Sequence, residues 1–125
     1  MSKDYVRGDR TLDVSVLFKG LRLTSFRVQP NLIELEFDNT GVGIDILDGE
    51  VIVTDRHGRL RRMVHWDLKA VDALRDLLDT VVTSALLGED LELLLVFEDG
   101  KKLELSFGGT PESYHIHAHG KVYVY

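Results

Sequence analysis

The sequence contains no cysteine and only two prolines among its 125 residues. Without cysteine the chain has no thiolate nucleophile and forms no disulfide, and cysteine-ligated zinc or iron–sulfur centres are excluded. The longest uninterrupted apolar run has five residues, 93–97 (LLLVF), which is far too short to cross a bilayer as a helix. The sequence therefore predicts a protein that does not span a membrane.

Basic residues are also missing from long stretches of the chain. Residues 28–55 contain seven acidic residues and no lysine or arginine, and residues 72–99 contain eight acidic residues and one arginine. Such a surface repels nucleic acid, so no nucleic-acid partner is expected, and it suits a basic protein partner. The alternative is that these acids only solvate strands and turns. The acids expected to bind such a partner are Glu34, Glu36, Asp38 and Asp45.

The first ten residues alternate charges and contain no apolar core of the kind that a secretory signal needs. The lack of cysteine also fits a reducing compartment. We therefore expect a cytoplasmic protein.

Alternation of apolar and polar residues dominates the chain and predicts strands. Residues 12–18 alternate in this way, and residues 32–38 do so again with Ile33, Leu35 and Phe37 on the inward face. Turn residues recur every six to ten positions between such segments, which is typical of antiparallel sheets. The predicted fold class is therefore α+β, with antiparallel sheet and one amphipathic helix.

That helix is predicted over residues 67–79. Asp67 is a suitable N-cap, because a carboxylate there accepts an unpaired backbone N–H and lies at the positive end of the helix. Apolar residues then recur at helical spacing opposite charged ones. The stripe expected to pack on the sheet consists of Leu68, Val71, Leu74, Leu77 and Leu78.

The second half of the sequence repeats features of the first. Residues 92–99 (ELLLVFED) align with residues 32–39 (LIELEFDN) when Phe97 is set on Phe37, and Thr-Ser precedes both segments. We therefore expect a single domain, residues 1–125, with two duplicated three-strand units at about 12–54 and 81–125 on either side of the helix.

Several motifs in the second half resemble those of a bacterial family of small uncharacterised proteins, a domain of unknown function. They are residues 81–85 (VVTSA), 97–100 (FEDG), 103–105 (LEL), 112–114 (ESY) and 122–125 (VYVY). The first half matches the family more loosely. The resemblance implies no catalytic residues, and the plan is similar to that of small immunity proteins that neutralise toxins.

A cluster of histidines precedes the last strand. On a strand, His115, His117 and His119 project to one face about 6.5–7 Å apart, and imidazoles at this spacing can share zinc or a similar divalent ion, with Glu112 completing the set. The alternative is a solvated strand face, with His119 leaving the row in a turn beside Gly120. No other cofactor is expected.

No phosphate-binding loop and no strained nucleophile turn is present, so the sequence predicts no enzyme. The leading hypothesis is a protein-binding module, an immunity- or antitoxin-type inhibitor of a basic partner such as a toxin. The alternative is a metal-binding protein or small hydrolase that uses the three histidines. A third possibility is a homo-oligomer. If the apolar last strand, with Tyr123 and Tyr125, lies at the outer edge of its sheet, it is expected to bind a partner or a second copy. The alternative is that residues 122–125 pair internally, with the tyrosines against the helix or Trp66.

Overall fold

The computed structural model describes residues 4–38, 40–63, 68–106 and 112–125. Within them the helices are α1 (Val14–Phe18), α2 (Leu68–Arg75) and a short 3-10 helix (Glu98–Gly100). The strands are β1 (Asp4–Arg7), β2 (Leu23–Gln29), β3 (Leu32–Phe37), β4 (Val42–Ile46), β5 (Val51–Thr54), β6 (Leu60–Met63), β7 (Val82–Leu87), β8 (Leu93–Phe97), β9 (Lys102–Leu105), β10 (Tyr114–Ala118) and β11 (Lys121–Val124). Among the described residues no helix combines the length and apolar character needed to span a membrane.

The strands form two sheets. The first sheet has the order β1-β11-β10-β4-β3-β2, and the second has the order β6-β5-β9-β8-β7. Strand β1 pairs with β11 in parallel, while the other paired strands are antiparallel. The α+β class with antiparallel sheet is therefore confirmed.

The two sheets do not follow the two halves of the sequence. The hairpin β5–β6 follows β4 along the chain, yet β5 pairs with β9 in the second sheet. Conversely, the hairpin β10–β11 follows β9, yet β10 pairs with β4 in the first sheet. Each half of the chain therefore supplies its last hairpin to the sheet of the other half.

Strands β2 and β7 begin in the same way. The register shifts between Leu23 and Ser25 on β2, and between Val82 and Ser84 on β7. The two strands come together in an isolated antiparallel bridge between Arg22 and Val81, which joins the sheets.

The interior is one hydrophobic cluster that takes residues from both sheets and both helices. The inward residues predicted on β3 are confirmed: Ile33, Leu35 and Phe37 are buried. Their counterparts on β8 are buried as well, and they are Leu93, Leu95 and Phe97. Alternation along these strands places one face of each sheet in the core, where burial of apolar surface stabilises the fold.

The strand predicted over residues 12–18 is wrong, because α1 lies there. The Asp13 carboxylate accepts a hydrogen bond from the Val16 backbone N–H at 3.1 Å and caps the helix. Val14 and Phe18, four residues apart, share a face and are buried, while the Val16 side chain is 78% exposed. The alternation is real, but a capped helix of five residues buries its first and last members equally well.

Helix α2 is shorter than predicted, and its buried side is wider than the predicted stripe. It ends at Arg75, and Asp79, with φ of 64°, closes the turn that follows. Its predicted N-cap, Asp67, and the side chain of Leu68 lie outside the described residues. Of the predicted stripe, Leu74 and Leu77 are buried and Val71 and Leu78 are half-buried. The small residues Ala70 and Ala73 are fully buried too, so the helix lies close to the core.

The last strand is not at an edge, so the predicted outer strand is wrong. Strand β11 pairs with β10 on one side and with β1 on the other, which satisfies its backbone groups internally. Tyr125 is buried, stacks on Tyr114 at 5.2 Å between ring centroids, and donates its hydroxyl to the Asp9 carbonyl at 2.7 Å. Tyr123 is half-buried against the core. Tyr125 therefore offers no surface for a partner.

Candidate metal centre

Two rows of side chains cross the outer face of the first sheet, the face turned away from the core. Residues directly opposite each other on antiparallel strands project to the same side. One row, read from β10 to β2, is His115, Asp45, Glu34 and Arg27. The other row is His117, Gly43, Glu36 and Ser25. We call this surface the polar face.

His117 and Asp45 are in direct contact on the polar face. The His117 Nε2 atom lies 2.6 Å from Asp45 Oδ2, and each side chain is 26% exposed. The contact is diagonal, because the residue directly opposite Asp45 is His115. A hydrogen bond this short to a carboxylate orients the imidazole and holds it against β4.

His115 lies on the other side of Asp45 and is less well satisfied. Its side chain is 15% exposed, and its buried Nε2 atom has no hydrogen-bond partner among the residues that the structure describes. Glu112 Oε2 is 3.8 Å away, beyond hydrogen-bonding distance. A buried nitrogen left unpaired costs about 1–3 kcal/mol, so its place needs an explanation.

The three side chains form a set with the dimensions of a metal site. One ligand atom from each of Asp45, His115 and His117 lies within 4.8 Å of the others. In a tetrahedral zinc site, with ligand bonds of about 2.0–2.1 Å, ligand atoms lie roughly 3.3–3.4 Å apart. To reach this spacing, His115 has to move inward and the 2.6 Å contact between His117 and Asp45 has to open.

Burial lowers the pKa of His115, because desolvation disfavours the imidazolium, and this effect outweighs the opposing attraction of Glu112 and Asp45. The neutral imidazole is the form that binds a metal ion. The environment of His115 thus favours the ligating form at neutral pH.

Glu112, the carboxylate predicted to complete the set, lies beside it. Arg7 on β1 forms an ion pair with Glu112 at 3.2 Å between Nη1 and Oε1. Both side chains of this pair are substantially exposed, so the pair is weak and screened by salt. Glu112 thus lies near His115 but outside the set of ligand atoms that lie within 4.8 Å of one another, and its contact is with Arg7.

A groove of about 570 Å³ opens next to the centre on the polar face. Its floor is Gly43, where an added Cβ would lie 2.8 Å from the Leu35 carbonyl oxygen. Backbone packing therefore requires glycine here, and the missing side chain leaves space above β4. The polar side chains that surround this space are Ser25, Arg27, Glu34, Glu36, Asp45 and His117.

The remaining predicted site residues are not part of the centre. His119 lies in the β10–β11 turn with φ of 54° and is exposed. It therefore does not lie in one row with His115 and His117, as expected if it sits in a turn beside Gly120. Asp38 also has positive φ, 45°, and accepts a hydrogen bond from the Arg22 backbone N–H at 2.9 Å, which is a structural role. Asp45, expected to bind a protein partner, does belong to the centre, where its carboxylate contacts His117; its role toward a partner stays a prediction. Only the pairing of β4 with β10 brings it there.

Comparisons of the chain with protein-family models, curated proteins and solved structures find no match. The resemblance to a family of small uncharacterised proteins therefore stays a prediction.

Proposed function

We propose that this protein binds a divalent metal ion of the zinc type through His115, His117 and Asp45. The observation that carries the proposal is that three ligand atoms lie within 4.8 Å of one another, and that the Nε2 atom of one of these residues, His115, is buried with no hydrogen-bond partner among the described residues. Two imidazoles and a carboxylate are a ligand set that zinc and related transition metals favour.

A metal ion accounts for His115 better than the hydrogen bond alone does. The contact between His117 and Asp45 satisfies those two residues, but the described part of the chain offers the His115 Nε2 atom no hydrogen-bond partner. Nor does the sheet framework need an imidazole at this place. In the first sheet, His115 on β10 lies opposite Asp45 on β4. In the second sheet, Ile52 on β5 lies opposite Glu104 on β9, so an isoleucine occupies the position that corresponds to His115.

Three protein ligands leave one coordination position open, as in catalytic zinc sites, unless Glu112 fills it. The alternative of a small hydrolase uses the same residues and requires the open position. Metal binding itself does not require a reaction at that position.

Zinc titration of the purified chain tests this function. We expect one ion per chain, with binding abolished in His115→Ala/His117→Ala and weakened by at least about 10-fold in Asp45→Asn, since loss of a ligand removes a direct bond. His119→Ala is the matched control, because it removes an exposed histidine outside the centre. Cobalt(II) should give the intense visible absorption of a tetrahedral site. Equal zinc affinity in the wild type and the double variant would refute the proposal.

We propose, as a second candidate, that the polar face binds a basic protein, as the immunity- or antitoxin-type hypothesis requires. The observation that favours it is that three of the four predicted partner-binding acids, Glu34, Glu36 and Asp45, line one groove. Asp45 is also a proposed metal ligand, so the metal and such a partner compete. We expect the chelator-treated chain to capture a basic protein. Capture should be lost when zinc is added, and also in the variant Glu34→Lys/Glu36→Lys. Capture unaffected by both changes would argue against this surface.

We infer, further, that the chain arose by duplication of a unit with one helix and five strands, whose last hairpins exchanged sheets. In support, Thr24 Oγ1 donates to the Glu36 carbonyl on β3, and Thr83 Oγ1 donates to the Val96 carbonyl on β8, both at 3.2 Å. The helices α1 and α2 precede β2 and β7, respectively. Homologous sequences whose two halves align with each other over these positions would support the inference, and independent patterns in the halves would oppose it.

A further inference from the structure

The groove on the polar face has two ends of different character. His117 and Asp45 of the candidate metal centre form one end, and Glu36 and Ser25 form the other, with Gly43 between them. Neighbouring strands lie about 4.8 Å apart, so β10 and β3, on either side of β4, place the ends roughly 9.5 Å apart at the backbone. A small molecule of a few heavy atoms fits between them.

The charges at the two ends are opposite once a metal ion is bound. A dication with neutral histidines and the Asp45 carboxylate carries a net positive charge. At the other end Arg27, which lies opposite Glu34 on the neighbouring strand, lines the groove together with the two carboxylates of Glu34 and Glu36. One positive charge offsets only one of these two negative charges, so this end keeps a net negative charge. Glu36 is exposed, it accepts a hydrogen bond from Ser25 Oγ at 3.2 Å, and no ion pair to it is found in the described part of the chain.

We propose that this groove binds a small zwitterion, an amino-acid-type ligand whose carboxylate binds the metal ion and whose ammonium group contacts Glu36. The inference rests on the proposed metal-binding function and names the class of ligand. The groove volume of about 570 Å³ lies within the roughly 300–1,000 Å³ usual for small-molecule sites. Charge-assisted hydrogen bonds at both ends fix the orientation of the ligand.

Other ligand charges fit less well. A dianion would bring a second negative group against Glu36, and a dication would bring a positive group against the metal ion. A monocarboxylate reaches the metal ion but leaves Glu36 without a counter-charge. The zwitterion alone matches both ends, and polar groups placed at both ends of a site reject analogues that lack one of them.

Calorimetry on the zinc-loaded full-length chain tests the inference. The probes are aminoalkanoates of three, four and five carbons with the amino group on the terminal carbon. Each is compared with the alkanoate and the alkylamine of the same length. We expect at least one aminoalkanoate to bind about 10-fold or more tightly than its matched alkanoate, because one charge-assisted hydrogen bond contributes roughly this much. The alkylamines should not bind measurably.

Glu36→Gln is the deciding variant, because it keeps the shape of the side chain and removes its charge. It should lower aminoalkanoate affinity to that of the alkanoate while leaving zinc and alkanoate affinity unchanged. Glu104→Gln, on the outer face of the second sheet, is the matched control and should change none of them.

The outcomes separate the two proposals. If the chain does not bind zinc, the metal-binding function fails and the ligand inference fails with it. If zinc binds but no aminoalkanoate exceeds its alkanoate, or Glu36→Gln leaves the difference intact, the ligand inference alone is overturned.

Discussion

The outer faces of the two sheets differ sharply, although the strands beneath them are arranged alike. In the first sheet, β10 and β4 present His115, His117, Asp45 and Gly43. In the second sheet the corresponding strands, β5 and β9, present Ile52, Thr54, Glu104 and Lys102. Next to β4 in the first sheet, β3 carries Glu34 and Glu36. Next to β9 in the second sheet, β8 carries Leu94 and Val96.

This difference distinguishes the inner-face positions, whose residues the core requires to be apolar, from the outer-face positions, where the fold accepts other residues. The inner faces of β3 and β8 bury the same kinds of residue, because each packs into the common core. Outer-face positions do not have to pack into that core, and on one of these faces His115, His117 and Asp45 lie close together. The histidines are therefore not explained by packing, since isoleucine and threonine serve the second sheet in the same places.

The largest effect is expected inside, where the two sheets are alike. Leu35→Ala on β3 and Leu95→Ala on β8 should each lower the free energy of unfolding by about 2–5 kcal/mol, because each removes a buried side chain and leaves a cavity. Urea denaturation measures both. Ser25→Ala and Ser84→Ala, at corresponding exposed positions, serve as controls and should cost less than about 0.5 kcal/mol. A small loss for only one leucine would break the equivalence of the two inner faces.

The next effect should occur on one outer face only. Zinc at about 100 times its dissociation constant should raise the free energy of unfolding by about 2.7 kcal/mol, because it binds the folded state. The gain should vanish in His115→Ala/His117→Ala and persist in Glu104→Gln. Thermal melts with and without chelator measure it. A zinc-dependent gain that survives the double histidine variant would place the ion elsewhere.

A third difference lies at the end of β10, where Tyr114 stands at the place that Val51 takes on β5. Burial raises the pKa of Tyr114 and of its stacking partner Tyr125 above the ordinary value near 10. The unfolded chain therefore loses these protons first as the pH rises. The resulting stabilisation is present below about pH 10 and is lost above it, by up to about 1.4 kcal/mol per pH unit for each tyrosine.

Denaturant unfolding between pH 9 and 11.5 measures this loss. Tyr114→Phe should reduce the slope with pH, although it also removes the hydrogen bond to the Leu91 carbonyl and lowers stability at every pH. Val51→Ile, at the corresponding place, should leave the slope unchanged. The same slope in Tyr114→Phe as in the wild type would show that this phenol does not cause it.

The smallest expected effect concerns α1, the helix that lies where the alternation of residues predicted a strand. Asp13→Ala should cost about 0.5–2 kcal/mol, because it removes the cap on the Val16 N–H. Asp13→Asn is the matched control, since its side-chain oxygen can still accept that hydrogen bond. Equal losses in the two variants, measured by urea denaturation, would mean that the charge rather than the cap matters.

The sequence by itself determined the local features whose cause is local. Alternation placed Ile33, Leu35 and Phe37 in the core and sent Glu34 and Glu36 outward, because side chains on a strand alternate between faces. The spacing of His115 and His117 put both imidazoles on one face for the same reason. The turn at Gly120 likewise explains why His119 leaves that row.

Only the tertiary structure decided which strands meet. The exchange of hairpins between the sheets pairs β10 with β4, about 70 residues away in sequence, and so brings Asp45 to the histidines. It also places β11 between two strands rather than at an edge. Alternation fixes the face on which a side chain lies, but it does not specify the partner strand or the register, because these depend on how the whole core packs.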